Sequence, residues 1–118
     1  MAPLTDPILL TAYKNALANR RFEGFVRWME VAQNWFRKEL AGCTLAALVE
    51  RMWEHVESGG DIDQVQENRP EWCPPCRYHF GLRFALDRRR LYVETRLEYR
   101  DPSDPDDPII LIASVHDA

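Results

Sequence analysis

The sequence predicts an α+β domain in which three N-terminal helices pack on a small antiparallel β-meander of at least three strands. Three observations predict it. Apolar residues recur at spacings of three and four as far as Gly59-Gly60, the mark of amphipathic helices. From Arg77 onward they alternate with polar residues, the period of a half-buried strand. Helices and strands are therefore segregated along the chain, which favours helices layered on the apolar face of an antiparallel sheet. The 118 residues are expected to form one domain, 1–118, with a helical part (1–60), an acidic connection (61–76) and a sheet part (77–118). A chain of this length can bury a core without disulfides or a structural metal.

Asp6-Pro7 opens the first helix, because Asp accepts hydrogen bonds at an N-cap and Pro is tolerated in the first turn. This helix is expected to run to about Asn19. A second is expected from about Arg21 to Leu40, where Phe22, Phe25, Met29, Ala32 and Phe36 recur at helical spacing before Gly42. Trp28, Val31 and Trp35 add a second apolar stripe, which either enters the core or meets another chain. Thr44 can cap a third helix presenting Leu45, Leu48, Val49, Met52 and Val56, with Gly59-Gly60 as its stop.

The acidic stretch "DIDQVQENRPEW" is expected to be a loop-like connection. Strands are then expected near 77–86, 90–100 and 108–116. A tight turn at Asp87-Arg88 would pair Leu82 with Val93 and Phe80 with Thr95, so that both apolar faces coincide. "DPSDPDDP" can only be a loop, and "IILIASV" begins apolar on both faces, as a well-covered strand does.

The formal net charge of −4 is unevenly spread: residues 77–100 hold seven arginines against three acidic side chains, and residues 101–118 hold five aspartates. Arg is the cation suited to forked phosphate or carboxylate contacts. Nothing in the sequence approaches the run of about 18 apolar residues that a membrane span needs. Three cysteines, an odd number, argue against a secreted disulfide framework, so a cytoplasmic protein without membrane association is expected.

"EWCPPCRYHF" places Cys73 and Cys76 three residues apart with His79 close behind. The pair leads into a strand and lacks the helix N-terminus that activates a redox C-x-x-C. A zinc site needs four ligands, and the fourth would have to come from His116, His55 or Cys43. Neither metal nor other cofactor is therefore expected, and the cysteines are taken as small apolar fillers of a Pro-stiffened turn. The "DPSDPDDP" loop lacks the spacing and the Gly of a calcium-binding EF-hand loop.

The polar face of the sheet carries the chemistry. By parity it presents His79, Arg83, Glu94, Arg96, Glu98 and Arg100, with Ser114 and His116 from the third strand. The register sets His79 opposite Arg96, and Gly81 opposite Glu94, leaving space beside that carboxylate. Metal-independent RNA cleavage needs a base for the 2′-hydroxyl, an acid for the leaving oxygen, and cations for the phosphorane. Glu94, His79 and His116 are the candidate acid–base groups; Arg83, Arg96 and Arg100 are the candidate phosphate ligands. Alternating Glu and Arg are also what a solvated sheet face carries, as cross-strand ion pairs.

The stretch "RYHFGLRFALDRRRLYVETRLEYR…IILIASVHDA" resembles the sheet of the small bacterial RelE/BrnT/MqsR-type toxins in strand order and residue character, over about 40 residues. The resemblance implies helices before an antiparallel sheet, an RNA substrate and an antitoxin-like protein partner. It also implies acid–base roles for Glu94, His79 and His116 and phosphate-binding roles for Arg83, Arg96 and Arg100. This chain departs from such toxins in its acidic net charge and longer helical part. The competing expectation is a non-catalytic interaction module that binds a protein partner, or a second copy, through Trp28, Val31 and Trp35 of the helix at 21–40 and through the acidic loops.

Overall fold

The structure is a computed structural model and describes residues 2–71, 77–101, 103–104 and 107–118. The expected Cys73–Cys76 turn, and the absence of metal there, lie outside the described residues. The elements run β1 (Ala2–Pro3), α1 (Pro7–Ala18), β2 (Val26–Trp28), α2 (Glu30–Glu39), α3 (Leu45–Glu57), β3 (Ile62–Gln66), β4 (Tyr78–Leu86), β5 (Arg89–Tyr99) and β6 (Pro108–Asp117). The α+β class is as expected, but the sheet is larger than the expected meander. Among the described residues it has six strands in the order β1-β3-β4-β5-β6-β2, antiparallel throughout except that β2 runs parallel to β6. Among the described residues, no helix is long and apolar enough to cross a membrane.

Local chemistry sets the helix ends. The Asp6 carboxylate accepts from the backbone N–H of Ile8 at 2.9 Å and opens α1 at Pro7. The Thr44 hydroxyl accepts from Ala47 N–H at 3.0 Å and opens α3, and Gly59, at φ +86°, follows its end. The expected helix from Arg21 to Leu40 is corrected: it begins only at Glu30. Gly24 takes φ +86°, which no right-handed helix tolerates, and the following Phe-Val-Arg-Trp is rich in strand-forming side chains. That segment docks along β6, with Ile110 N–H donating to Phe25 O at 2.8 Å and Met29 N–H to Ile112 O at 2.9 Å. Phe22, expected in the core stripe, is 67 % exposed.

The two-stripe arrangement disappears with the long helix. Trp28 leaves the helix for β2 and packs on Phe36 of α2 at a ring separation of 5.6 Å. Trp35 lies half-buried under the Arg89 guanidinium, and Val31 stands out in solvent. Two of the three are thus half-buried and one is exposed. The connection expected at 61–76 is corrected as well, since its first part is strand β3, paired with β4 from Ile62↔Leu82 to Gln66↔Tyr78.

The β4–β5 hairpin has the expected register, Leu82↔Val93 and Phe80↔Thr95, around Asp87 and Arg88. Both turn residues have positive φ, as a two-residue turn matching the strand twist requires. One face of the sheet meets the helices. Tyr13, Leu17, Phe36, Leu48 and Met52 pack there against Leu82, Val93, Ile110 and Ile112, all fully enclosed. Among the described residues one polar pair interrupts this core. Thr95 Oγ1 donates to Phe80 O at 2.8 Å, so the Tyr13 hydroxyl, 2.8 Å away, donates to Thr95. Burial pushes the Tyr13 phenol well above its ordinary value.

Between β5 and β6 the register shifts: Glu94 pairs with Ser114 but Thr95 pairs with Ile112, so Ala113 is an extra residue, a β-bulge. The bulge changes which way β6 faces. Residues two apart in a strand share a face, so without it Ser114 and His116 would follow Ile112 into the core. With it, Ile112 and Val115 are buried while Ser114 and His116 join the opposite face.

Candidate active site

On the face away from the helices the register lays side chains in rows. Arg83, Tyr92 and His116 are direct cross-strand neighbours on β4, β5 and β6. The next row is Asp63, Gly81, Glu94 and Ser114. Two clusters result, one open and one enclosed.

The open cluster centres on Tyr92. Arg83 stacks on its ring at 4.8 Å from the β4 side, and His116 lies at a ring separation of 5.1 Å on the β6 side. Arg83 also pairs with Asp63 of β3. The Tyr92 phenol folds over Gly81, where any Cβ would collide with it. Gly81 was expected to leave open space beside Glu94; Tyr92 fills that space, and the glycine is what permits it. Burial pushes the phenol upward, reinforced by the Asp63 charge, so it stays protonated. His116 is exposed, and its Nδ1 lies 2.9 Å from Asp117 O. A carbonyl only accepts, so the Nδ1 proton is used there and Nε2 is left for other chemistry. Arg83, Tyr92, His116, Asp117 and Ala118 line a cleft of about 180 Å³.

The enclosed cluster holds Glu67, Arg69, His79, Glu94 and Arg96. The Arg96 side chain is 0 % exposed, and its guanidinium lies 2.6 Å from Glu67 Oε2 and 3.0 Å from Glu94 Oε2. Glu67, itself 1 % exposed, also accepts from His79 Nδ1 at 3.2 Å. Arg69 reaches in from the β3–β4 connection: its Nε donates to Glu67 Oε1 at 2.9 Å and its Nη2 to Glu94 Oε2 at 2.8 Å. The Arg69 hydrogen bond leads the effects that hold the Glu67 carboxyl down to about 2. Burial pushes Glu94 up, but the Arg69 hydrogen bond and the Arg96 and Arg69 charges outweigh it and hold the carboxyl below its usual range.

These positions sort the expected site residues. Glu94 sits one strand and two residues from both Arg83 and His116, a backbone separation of roughly 8 Å that long side chains bridge. His79 lies four residues along β4 from Arg83 and two strands from β6, roughly 16 Å from His116. The two histidines therefore cannot serve one phosphate. The side chains of His79 and Arg96 share Glu67 as partner. Arg96 is enclosed and engaged with carboxylates, so it is not the exposed phosphate ligand expected. Arg100 is eight residues beyond Tyr92, roughly 25 Å away. It stacks on Phe25 at 4.4 Å and donates to Glu23 O at 3.0 Å, bracing the Gly24 turn.

Sequence reasoning missed Asp63, Glu67, Arg69 and Tyr92. The signal for the first two was present: Asp63, Val65 and Glu67 alternate with Ile62, Gln64 and Gln66. A larger groove of about 390 Å³ lies on the helix-bearing face, lined by Tyr78, Phe80, Leu97 and Tyr99 with Asp6 and Arg77. Its carboxylate is occupied in capping α1, so it offers no acid–base pair. Among the described residues no group of three or more His, Cys, Asp and Glu is arranged to hold a metal ion. Comparison of the chain with protein-family models, with curated proteins and with solved structures finds no significant match.

Proposed function

We propose that the open sheet face is the active site of a metal-independent ribonuclease, with Glu94 as base, His116 as acid and Arg83 as phosphate ligand. The observation that carries this reading is the Ala113 bulge, which turns His116 out of the core and into a row with Tyr92 and Arg83, one step from Glu94. Bulges are common beside active sites because they re-aim a side chain. Glu94 takes the proton of a 2′-hydroxyl, the 2′-oxygen attacks the adjacent phosphorus, and the bond from phosphorus to the 5′-oxygen breaks. His116, protonated at Nε2, gives its proton to that leaving oxygen. The products are a 2′,3′-cyclic phosphate and a 5′-hydroxyl. Arg83 offsets the charge that builds on the phosphorane. Tyr92 keeps Arg83 and His116 apart by one ring width, and Arg96 with Glu67 fixes the Glu94 carboxylate from beneath.

The test uses the purified protein and a single-stranded RNA carrying a 2′-deoxy control at the scissile nucleotide. Cleavage with a cyclic phosphate end is expected, with none at the deoxy position. Glu94→Gln and His116→Ala should each lose on the order of 100- to 10,000-fold in rate. His116 is exposed, so its removal should cost roughly 0.5 kcal/mol of stability or less. Absence of cleavage by the wild type, or full activity in His116→Ala, would refute the assignment.

A further inference from the structure

We propose that Arg69 is a second phosphate ligand of this site, held on the Glu94 carboxylate at rest and passed to the scissile phosphate when RNA binds. The inference rests on the ribonuclease reading and adds a group from a part of the chain outside the row of strand residues. Arg69 differs from its partners in exposure: its side chain is 44 % exposed, against 0 % for Arg96, 1 % for Glu67 and 13 % for Glu94. The Nε–Nη2 edge of its fork lies on the two carboxylates, and the side chain is otherwise open to solvent.

The geometry gives it a task. Its Nη2 lies 2.8 Å from Glu94 Oε2, so any ribose whose 2′-hydroxyl meets that carboxylate brings its 3′-phosphate beside the same guanidinium. Phosphate competes well for an Arg fork that binds carboxylate. Nε and the backbone N–H of Arg69 both stay on Glu67 Oε1, at 2.9 and 3.0 Å, and Nη2 donates to Glu67 Oε2 at 3.1 Å as well as to Glu94. That anchor lets Nη2 exchange its Glu94 bond for a phosphate oxygen while its Glu67 bond and the stem hold their place. Glu67, enclosed and ionised between Arg69, His79 and Arg96, is then the pivot, and Arg96 remains beneath Glu94 to keep the base charged.

The experiment compares wild type, Arg69→Ala and Arg69→Lys in the full chain, with cleavage of an RNA oligonucleotide and binding of its all-deoxy counterpart. Loss of one phosphate contact should reduce the slope of log affinity against log salt by about 0.7 in Arg69→Ala. Its kcat/KM should fall on the order of 100-fold, the usual cost of one donor to a developing oxyanion. Without Arg69, Glu94 titrates at higher pH, so the acid limb of kcat/KM should move upward. Arg69→Lys should keep the salt slope and most of the position of the acid limb while remaining slow, because it keeps charge and loses the fork. If the wild type cleaves RNA and Arg69→Ala leaves salt slope and acid limb unchanged, Arg69 is only a structural tie and the ribonuclease reading stands. If the wild type does not cleave, both fall together.

Discussion

The two faces of this sheet are made by the same strands and are held together in opposite ways. Toward the helices, β4, β5 and β6 present Leu82, Val93, Ile110 and Ile112, whose burial is non-directional and forgives small shifts. On the other face the same strands present Arg83, Tyr92, Glu94 and Arg96, where each charge has a designated partner at hydrogen-bond distance. The first face supplies the bulk of the stability. The second contributes little net stability, because desolvating charges costs about what their attraction returns, yet it fixes where each group sits. A sheet of this kind separates the work of folding from the work of positioning.

The most severe way to break the comparison is to exchange the faces. Deleting Ala113 removes the bulge and should send Ser114 and His116 into the core while turning Val115 out. A loss on the order of 3–5 kcal/mol is expected from the buried imidazole and the exposed valine together. Denaturant unfolding measures it, and a near-neutral deletion would mean that the bulge does not set the facing of β6.

Breaking one charge of the enclosed cluster comes next. Glu67→Gln should destabilise by about 3 kcal/mol, because Arg96 stays buried with half its counter-charge. Replacing Glu67, Arg96 and Glu94 together by apolar residues of similar size should be close to neutral by the same measurement. Equal losses for the single and triple variants would make the charged face a source of stability, contrary to the contrast drawn here.

The acid limit sharpens it further. Glu67 has a folded-state value of about 2 against an ordinary 4.5, so the unfolded chain binds its proton first. Its contribution is complete above about pH 5 and is lost as pH falls from there toward 2. The Glu67→Gln variant should therefore show a flatter decline of stability across that window than the wild type.

The smallest effect is on the apolar side, at the Tyr13–Thr95 pair. Tyr13→Phe removes a donor and should cost about 1 kcal/mol, whereas Thr95→Val strands the buried Tyr13 hydroxyl and should cost about 2 kcal/mol. The order of the two, read from midpoint shifts, is the test.

How much was legible follows the same division. The hairpin register from Leu82 to Val93 could be read because one buried face leaves a single workable alignment. The helix starts at Asp6 and Thr44 were equally plain, each being a local side-chain-to-backbone bond. Strand β3 hid because two of its three core-side positions are Gln64 and Gln66, and β2 hid because three residues carry too little pattern to outweigh a false helical spacing. On the polar face, alternation identified Arg83, Glu94 and Arg96 as members but gave no depth, so the enclosed Arg96 looked like the exposed Arg83. Arg69 was invisible since nothing in a loop sequence says which strand row it reaches.

One consequence of the strand order concerns synthesis. The outer strands β1 and β2 both come from the first 28 residues, yet Val26 of β2 pairs with Ile110, 84 positions later, and Tyr13 meets Thr95 across 82. A ribosome adding about 5–20 residues per second leaves the β2 segment unpaired for several seconds. Pairings so distant in sequence also close slowly. The partners of β2, Ile110 to Ile112, lie on the last strand of the sheet in chain order. Closure of the sheet therefore waits on β6, the one strand that pairs with both β5 and the early segment β2.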